Sequence, residues 1–347
     1  MSSLLGVLVF AGVYRSLMKH ALALSNRKVT ELGLELQDVG APKPVLSPEL
    51  LEQVTAVFTA ALKAPRLQDG STSKYLLCEP KDLIIGQPKD AARGLAWYLG
   101  IDEERAHEGL AHSLANLKRE IADFGTDEDK ECLNYILHEP AGSSDKIFAN
   151  GVRDEGRNGE TIDDFVNHPN AKRSGLSFAH VVALRLYTTA AFKSLNGPLR
   201  DLNRVGPYPF PITAILIKEA IGKLRTIGAE KSVQEEIILW RGMRDVAVTD
   251  EFVMNGGTEV APMSTTSDIN VALEYSRSDS SLLFKIVTTS FMQRGADLSW
   301  LSAFPGEAEL LYPPLTYLEP TGNRQLIGIP GREETMTIVE VKVHIGG

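Results

Sequence analysis

Four side chains in the last third of the chain, Arg241, Ser264, Glu307 and Glu309, have the types and order that suit work on a phosphorylated sugar. An arginine presents a rigid fork of donors that matches a pair of phosphate oxygens. A serine hydroxyl can bond a ribose or hold a carboxylate in place. Two carboxylates at Glu-x-Glu spacing supply the negative charge that a sugar cation needs when its glycosidic bond breaks, which is why glycoside hydrolysis also relies on carboxylates. Together the four can hold a dinucleotide and stabilise an oxocarbenium-like sugar.

Local sequence indicates how each is positioned. Glu236-Ile237-Ile238-Leu239-Trp240-Arg241-Gly242 is a short apolar run ending in a charge and a glycine, the pattern of a buried strand with a polar side chain at its edge. Pro262-Met263-Ser264-Thr265-Thr266-Ser267 precedes a helix that Ser267 or Asp268 is expected to cap, since a short side-chain oxygen accepts from the free amides of a first turn. Leu298 to Pro314 reads as a loop with a Pro305-Gly306 turn leading into a strand. In extended backbone residues two apart share a face, so Glu307 and Glu309 are expected to project together.

On these residues the stretch from about Ser177 to Ile345 resembles the arginine-specific mono-ADP-ribosyltransferases, a class marked by an R, an S-T-S and an E-x-E. The spacing of Val271-Ala272 after Ser264 agrees, as does a preceding helix, Ala183 to Thr188, with Asn196-Gly197-Pro198-Leu199-Arg200 after it. Thr266 stands where the second serine is usual and keeps the hydroxyl. The resemblance covers roughly half the chain and implies an ADP-ribosyltransferase-type domain of two packed antiparallel sheets with flanking helices. It implies NAD as substrate, no metal, and transfer of ADP-ribose to an arginine of an acceptor protein with release of nicotinamide. Glu309 would bond the ribose 2′-hydroxyl and stabilise the cation, and Glu307 would orient the acceptor guanidinium and help remove its proton. Arg241, Gly242, Ser264, Thr265 and Thr266 would line the dinucleotide, with Gly242 letting the backbone approach the nicotinamide amide. Tyr275 and Phe284 are candidates to stack on nicotinamide, with burial in a core as the competing reading. Trp300 and Phe304 are candidates to touch the acceptor, again against burial. Water in place of the acceptor would make the same pocket an NAD glycohydrolase, and a silent copy of the fold would only bind a partner.

Composition narrows the alternatives. At 347 residues, 43% hydrophobic and 23% charged, the chain can build a substantial core. A net charge of -9 argues against a nonspecific nucleic-acid binder, which needs a basic face. Two cysteines, Cys78 and Cys132, make no disulfide framework and lean towards an intracellular protein. His107 and His112, five apart, miss the spacing that faces two metal ligands together. Neither a G-x-G-x-x-G strand–helix unit nor a P-loop is present. Residues 1–30 lack acids and combine an apolar run, Leu4 to Tyr14, with Arg15, Lys19, Arg27 and Lys28. That fits an organelle transit peptide, a secretory signal or a simple amphipathic helix, and is too short to span a bilayer.

The elements that must carry the site read as α+β, helices first and strands after. Residues 31–140 are expected to be mostly helical, with helices at Ser47 to Lys63 and Asp102 to Phe124 and a short strand at Tyr75 to Cys78. Residues 141–176, polar and rich in Gly, Asn and Asp, read as a linker or irregular lead-in to a catalytic domain at 177–347. Within it the pattern predicts a helix from Ser177 to Leu195 stopped by Asn196-Gly197-Pro198, a second from Pro211 to Thr226, and a half-solvated strand at Thr337 to Ile345.

Overall fold

A computed structural model describes residues 45–61, 94–143, 147–148, 151–201, 204–229, 236–244, 246, 248–278, 280–328 and 335–345. Residues 1–30, Cys78 and the strand expected at Tyr75 to Cys78 lie outside these. The first half is helical: α1 Pro48–Ala61, α2 Gly94–Leu99, α3 Glu103–Ala111, α4 Ser113–Phe124 and α5 Asp127–His138. A two-residue hairpin, β1 Ile147–Phe148 with β2 Gly151–Val152, precedes α6 Ile162–Asn167, α7 Pro169–Ser174, α8 Phe178–Tyr187, α9 Phe192–Arg200 and α10 Pro211–Ala229. Then come β3 Ile237–Arg244, α11 Asp250–Asn255, β4 Gly257–Glu259, β5 Met263–Thr266, α12 Ile269–Ser276, β6 Ser280–Thr288, β7 Ala296–Asp297, β8 Glu309–Tyr312, β9 Thr316–Gly328 and β10 Thr335–Ile345.

The architecture is α+β, as the pattern predicts, but the sheet differs in detail from two antiparallel ones. Its strands run β4-β9-β10-β6-β3-β5-β8-β7 in one continuous order. β3 and β5 meet at a single residue pair, Trp240 with Thr266, so two sub-sheets share one narrow joint. β10 runs parallel to β6, while β3 with β6 and β5 with β8 are antiparallel. The candidate arginine and glutamates therefore lie on opposite sides of that joint.

Two expected helices change at their boundaries. The segment expected as one helix from Asp102 to Phe124 is broken at His112, whose φ of -120° leaves helical space. The helix from Ser177 starts on its capping box, with His180 N donating to Ser177 Oγ and Ser177 N to His180 Nδ1. It ends at Tyr187 rather than Leu195, because the hydroxyls of Thr188 and Thr189 bond back to Arg185 O at 2.8 Å and Leu186 O at 2.6 Å. Asn196-Gly197-Pro198, expected as a terminator, lies inside α9. Proline loses only one ladder bond there, and the buried Leu195 and Leu199 beside it hold the turn against the core. The polar stretch 141–176 is also more ordered than its composition suggests. Thr161 and Asp164 form a capping box for α6, Pro169 starts α7, and Ile162, Phe165 and Ala171 are buried in the helical core.

Burial explains the rest. α8 is buried from Ala179 to Tyr187, so it forms the centre of the helical layer and packs on α10. Glu120 of α4 caps α10 from a neighbouring helix, accepting from Ile212 N at 2.8 Å, Thr213 N at 2.9 Å and Thr213 Oγ1 at 2.7 Å. On the sheet, α1 contributes Val54 and Phe58 to a cluster with Trp240, Leu273, Met336 and Ile338. The opposite face gathers Leu239, Met263, Phe284, Val339, Val341 and Val343. β10 is thus covered on both faces in its first half, and only Lys342 and His344 keep the solvated alternation expected of the whole strand.

Candidate active site

β3 delivers Arg241 beside β5. Its Nη1 donates to the backbone carbonyl of Ser264 at 2.9 Å, and its Nη2 lies 3.3 Å from Glu259 Oε2. Glu259, at the end of β4, also takes a two-pronged bond from Arg200 of α9, 2.9 Å on each oxygen, and accepts from Ala261 N at 3.1 Å. Burial alone would raise the Glu259 pKa, but the two guanidiniums and these hydrogen bonds outweigh it, and the carboxyl sits below its ordinary value. Arg241 is held down in pKa by burial, partly offset by Glu259. Its Nε is buried with no hydrogen-bond partner, so the arginine retains one uncommitted donor.

β5 pairs with β8 so that Ser264 opposes Leu311 and Thr266 opposes Glu309. Glu309 is 5% exposed, lies near Ser264 and Ser302, and accepts at its backbone carbonyl from Leu298 N at 2.9 Å. Its pKa is pushed up to about 7, first by burial and second by the charge of Glu307, with the two serines pulling the other way. Glu307 is brought close by a route different from the expected one. It ends a short 3-10 turn, Pro305–Glu307, and Ala308 then adopts φ 46° and ψ 48° before β8 begins at Glu309. The pair is therefore set by a left-handed residue at a turn–strand junction, not by two positions of one pleated strand.

The second layer of candidates is mostly committed to the protein itself. Thr266 Oγ1 donates to Glu307 O at 2.6 Å and Thr265 Oγ1 to Leu310 O at 2.8 Å, so both threonines fasten β5 to the chain carrying the glutamates. Tyr275 is not arranged as a stacking ring alone: its hydroxyl donates to Glu307 Oε1 at 2.6 Å. Phe284 is fully buried in the core and stacks on Phe252 with centroids 5.5 Å apart, so it takes the burial reading. Phe304 is buried as well, and Trp300 stacks on His168 with centroids 4.5 Å apart, so both rings of the loop turn inward. At Gly242 a Cβ would lie 1.8 Å from Ala272 O, so glycine is required there by the closeness of α12.

Sequence reasoning passed over Glu259, Arg200 and Ser302. Glu259 carried a usable signal, a carboxylate directly before the apolar Val260-Ala261-Pro262. Arg200 ends the Asn196 to Arg200 segment, and nothing local marks Ser302. Among the described residues no group of three His, Cys, Asp or Glu is placed to hold a metal ion, and no helix is long and apolar enough to cross a membrane.

No family model matches the sequence, and no curated protein matches it. Among solved structures the chain is similar to the ADP-ribosyltransferase HopU1 of Pseudomonas syringae pv. tomato, at 14% identity and TM-score 0.39 over 63% of this chain and 98% of that one. It is similar to a mutant of the eukaryotic mono-ADP-ribosyltransferase ART2.2 in complex with NAD, at 14% identity and TM-score 0.43 over 71% and 90% of the two chains. A third is Plx2a, an ADP-ribosyltransferase toxin from Paenibacillus larvae, at 20% identity and TM-score 0.37 over 53% and 94%. Likenesses this distant add no weight, and the functional reading rests on the geometry of the site.

Proposed function

We propose that the protein transfers ADP-ribose from NAD to an arginine side chain of an acceptor protein. The observation that carries this reading is Glu309: a buried carboxyl at the start of β8, two residues after Glu307 at the end of the preceding turn, with its pKa pushed up to about 7 by burial and then by Glu307. Perturbed carboxyl pairs of this kind are what acid–base and cation-stabilising chemistry uses. The bond between ribose C1′ and the nicotinamide nitrogen breaks, its electron pair leaving with nicotinamide, and Glu309 in its ionised form faces the resulting cation. The positive nicotinamide ring of bound NAD favours that ionised form. A guanidinium nitrogen of the acceptor then bonds C1′ and gives up its proton to Glu307. A protonated guanidinium is a poor nucleophile, so a second carboxylate is needed at this point. Arg241, tied to the Ser264 carbonyl and to Glu259, presents a fixed guanidinium at the joint between β3 and β5, where it would meet the diphosphate.

Incubation with labelled NAD and a protein extract, followed by mapping of the modified side chain, tests the reading; label on any residue other than arginine refutes the acceptor. Glu309→Ala is expected to abolish both transfer and hydrolysis of NAD. Glu307→Ala is expected to lose transfer and keep part of the hydrolysis. If the two variants behave alike, the division of labour between the glutamates is wrong.

A further inference from the structure

The loop from Leu298 to Phe304, directly ahead of the glutamates, is fastened from outside by one buried polar cluster. Arg185 Nη1 of α8 donates to Leu301 O at 2.8 Å, and Arg157 donates to both Ser299 O and Ser302 O. Asp154 N donates to Ala303 O at 2.7 Å, and Ala303 N in turn donates to Thr188 Oγ1 at 2.9 Å. Four successive or near-successive carbonyls of the loop are thus bound by side chains or backbone from residues 154–185.

The cluster is itself over-determined. Asp154 is fully buried, and its two oxygens take Arg185 Nη1 at 3.0 Å and Arg185 Nη2 at 2.8 Å. Tyr135 Oη donates to the second oxygen at 2.8 Å, and Arg157 approaches the first at 3.5 Å. The Arg185 guanidinium lies 4.0 Å over the ring of Phe165. Asp154 adopts φ 55°, in the left-handed region that aspartate enters more readily than most residues. A buried ion cluster is weak support for stability but good support for a single fixed geometry. Here the geometry it fixes is that of a loop whose Ser302 carbonyl is held by Arg157 and whose Leu298 N donates to Glu309 O at 2.9 Å.

We infer that Asp154, Arg185 and Arg157 are positioning residues: they lock the loop so that its Leu298 amide holds Glu309 where it meets the reacting sugar. This rests on the activity proposed above, and it gives residues 135–157 a part in the site. The effect sought is one of placement, because a misplacement of about 1 Å from the reacting atoms can cost about a hundredfold in rate.

The test uses the full chain with Arg157→Met, which removes both carbonyl bonds, and Arg157→Lys, which keeps one donor should the first fail to fold. Hydrogen exchange is expected to speed up about tenfold or more across 298–304, with α10 and β3 unchanged. Hydrolysis of NAD without acceptor is expected to fall about tenfold in kcat with the KM for NAD within about twofold. Arg185→Met, which frees the Leu301 carbonyl of the same loop, is expected to show the same faster exchange and fall in kcat, and the double variant with Arg157→Met to be little worse than either alone. Unchanged exchange in 298–304, an unchanged kcat despite faster exchange, or additive losses in the double variant would each overturn the inference. A wild-type chain that turns over no NAD refutes the proposed activity alone, and the loop clamp then stands or falls on the exchange rates.

Discussion

The phenol of Tyr275 donates to Oε1 of Glu307 across 2.6 Å, tying the last turn of α12 to the first glutamate of the pair. The backbone of the same glutamate is held by Thr266, whose hydroxyl donates to Glu307 O at 2.6 Å. Thr266 also accepts from Asp268 N at 3.0 Å, at the cap of that helix. Side chain and main chain of Glu307 are therefore both fixed by the segment from 266 to 275. The geometry suits a carboxylate that must take a proton from a particular direction.

Tyr275→Phe keeps the ring and removes that bond. A hydrogen bond to a charged group contributes about 1.5–3 kcal/mol, enough for a tenfold or larger effect. Transfer to an arginine acceptor is expected to fall by about that factor, with NAD hydrolysis much less affected. The ratio of ADP-ribosylated acceptor to free ADP-ribose is the measurement, and a ratio equal to that of the wild type would sink the assignment.

Glu309 links pH to stability. Its carboxyl has an ordinary value of 4.5 and is pushed up to about 7 in the fold, chiefly by burial. The folded state thus holds the proton more tightly than the unfolded chain. Between these two values it binds more protons than the unfolded state, so stability falls as pH rises. The loss amounts to at most about 3 kcal/mol and is complete above the folded value. Glu309→Gln should remove this slope and make the protein more stable than wild type at pH 8, in denaturant titrations run at several pH values. On the proposed mechanism, which uses the ionised carboxyl, hydrolysis of NAD by the wild type should rise with pH through the neutral region.

Patterns that depend on local chain chemistry were legible in the sequence, and those that depend on remote contacts were not. The apolar run at Ile237 to Trp240 marks β3, and the capping residues Ser47, Ser177 and Asp268 start the helices expected of them. The stop at Tyr187 was hidden because Thr188 and Thr189 are ordinary helix residues until their hydroxyls bond back to the turn before them. The Glu307 and Glu309 pairing was anticipated from the wrong geometry, since nothing in Gly306-Glu307-Ala308-Glu309 announces a left-handed alanine. Phe284 and Phe304 went to the core because covering elements are supplied from far along the chain. Nothing local marks Arg157 or Arg185, and only the fold sets the two arginines against loop carbonyls and Glu259 against Arg200 and Arg241.

Gly242 offers a test of packing separate from chemistry. A Cβ there would lie 1.8 Å from Ala272 O and 2.9 Å from Ser276 N, backbone atoms of a helix that cannot yield like a flexible side chain. Gly242→Ala should therefore displace α12 from β3 and destabilise the protein by about 1–3 kcal/mol or more. Because α12 also carries Tyr275, the same variant should lower transfer to arginine more than hydrolysis. Gly306→Ala, where nothing lies within 4 Å of a built Cβ, is the control and should leave stability within about 0.5 kcal/mol.

Glu259 is the anion on which two arginines converge, 2.9 Å from Arg200 on each oxygen and 3.3 Å from Arg241. Glu259→Gln would leave two buried guanidiniums facing a neutral amide, the kind of broken pair that costs about 3–5 kcal/mol. Because the Glu259 pKa lies below its ordinary value, its contribution is present above about the ordinary 4.5 and is lost as pH falls through the folded value. Urea titrations of wild type and Glu259→Gln should therefore differ most near neutral pH and converge in acid. The KM for NAD should rise as well, because Arg241 without its counter-ion no longer holds the β5 backbone at the Ser264 carbonyl. Arg200→Gln, which leaves Glu259 paired with Arg241, should raise KM while disturbing stability less. If Glu259→Gln were as stable as wild type at neutral pH, the two arginines would have to be held by something other than this carboxylate.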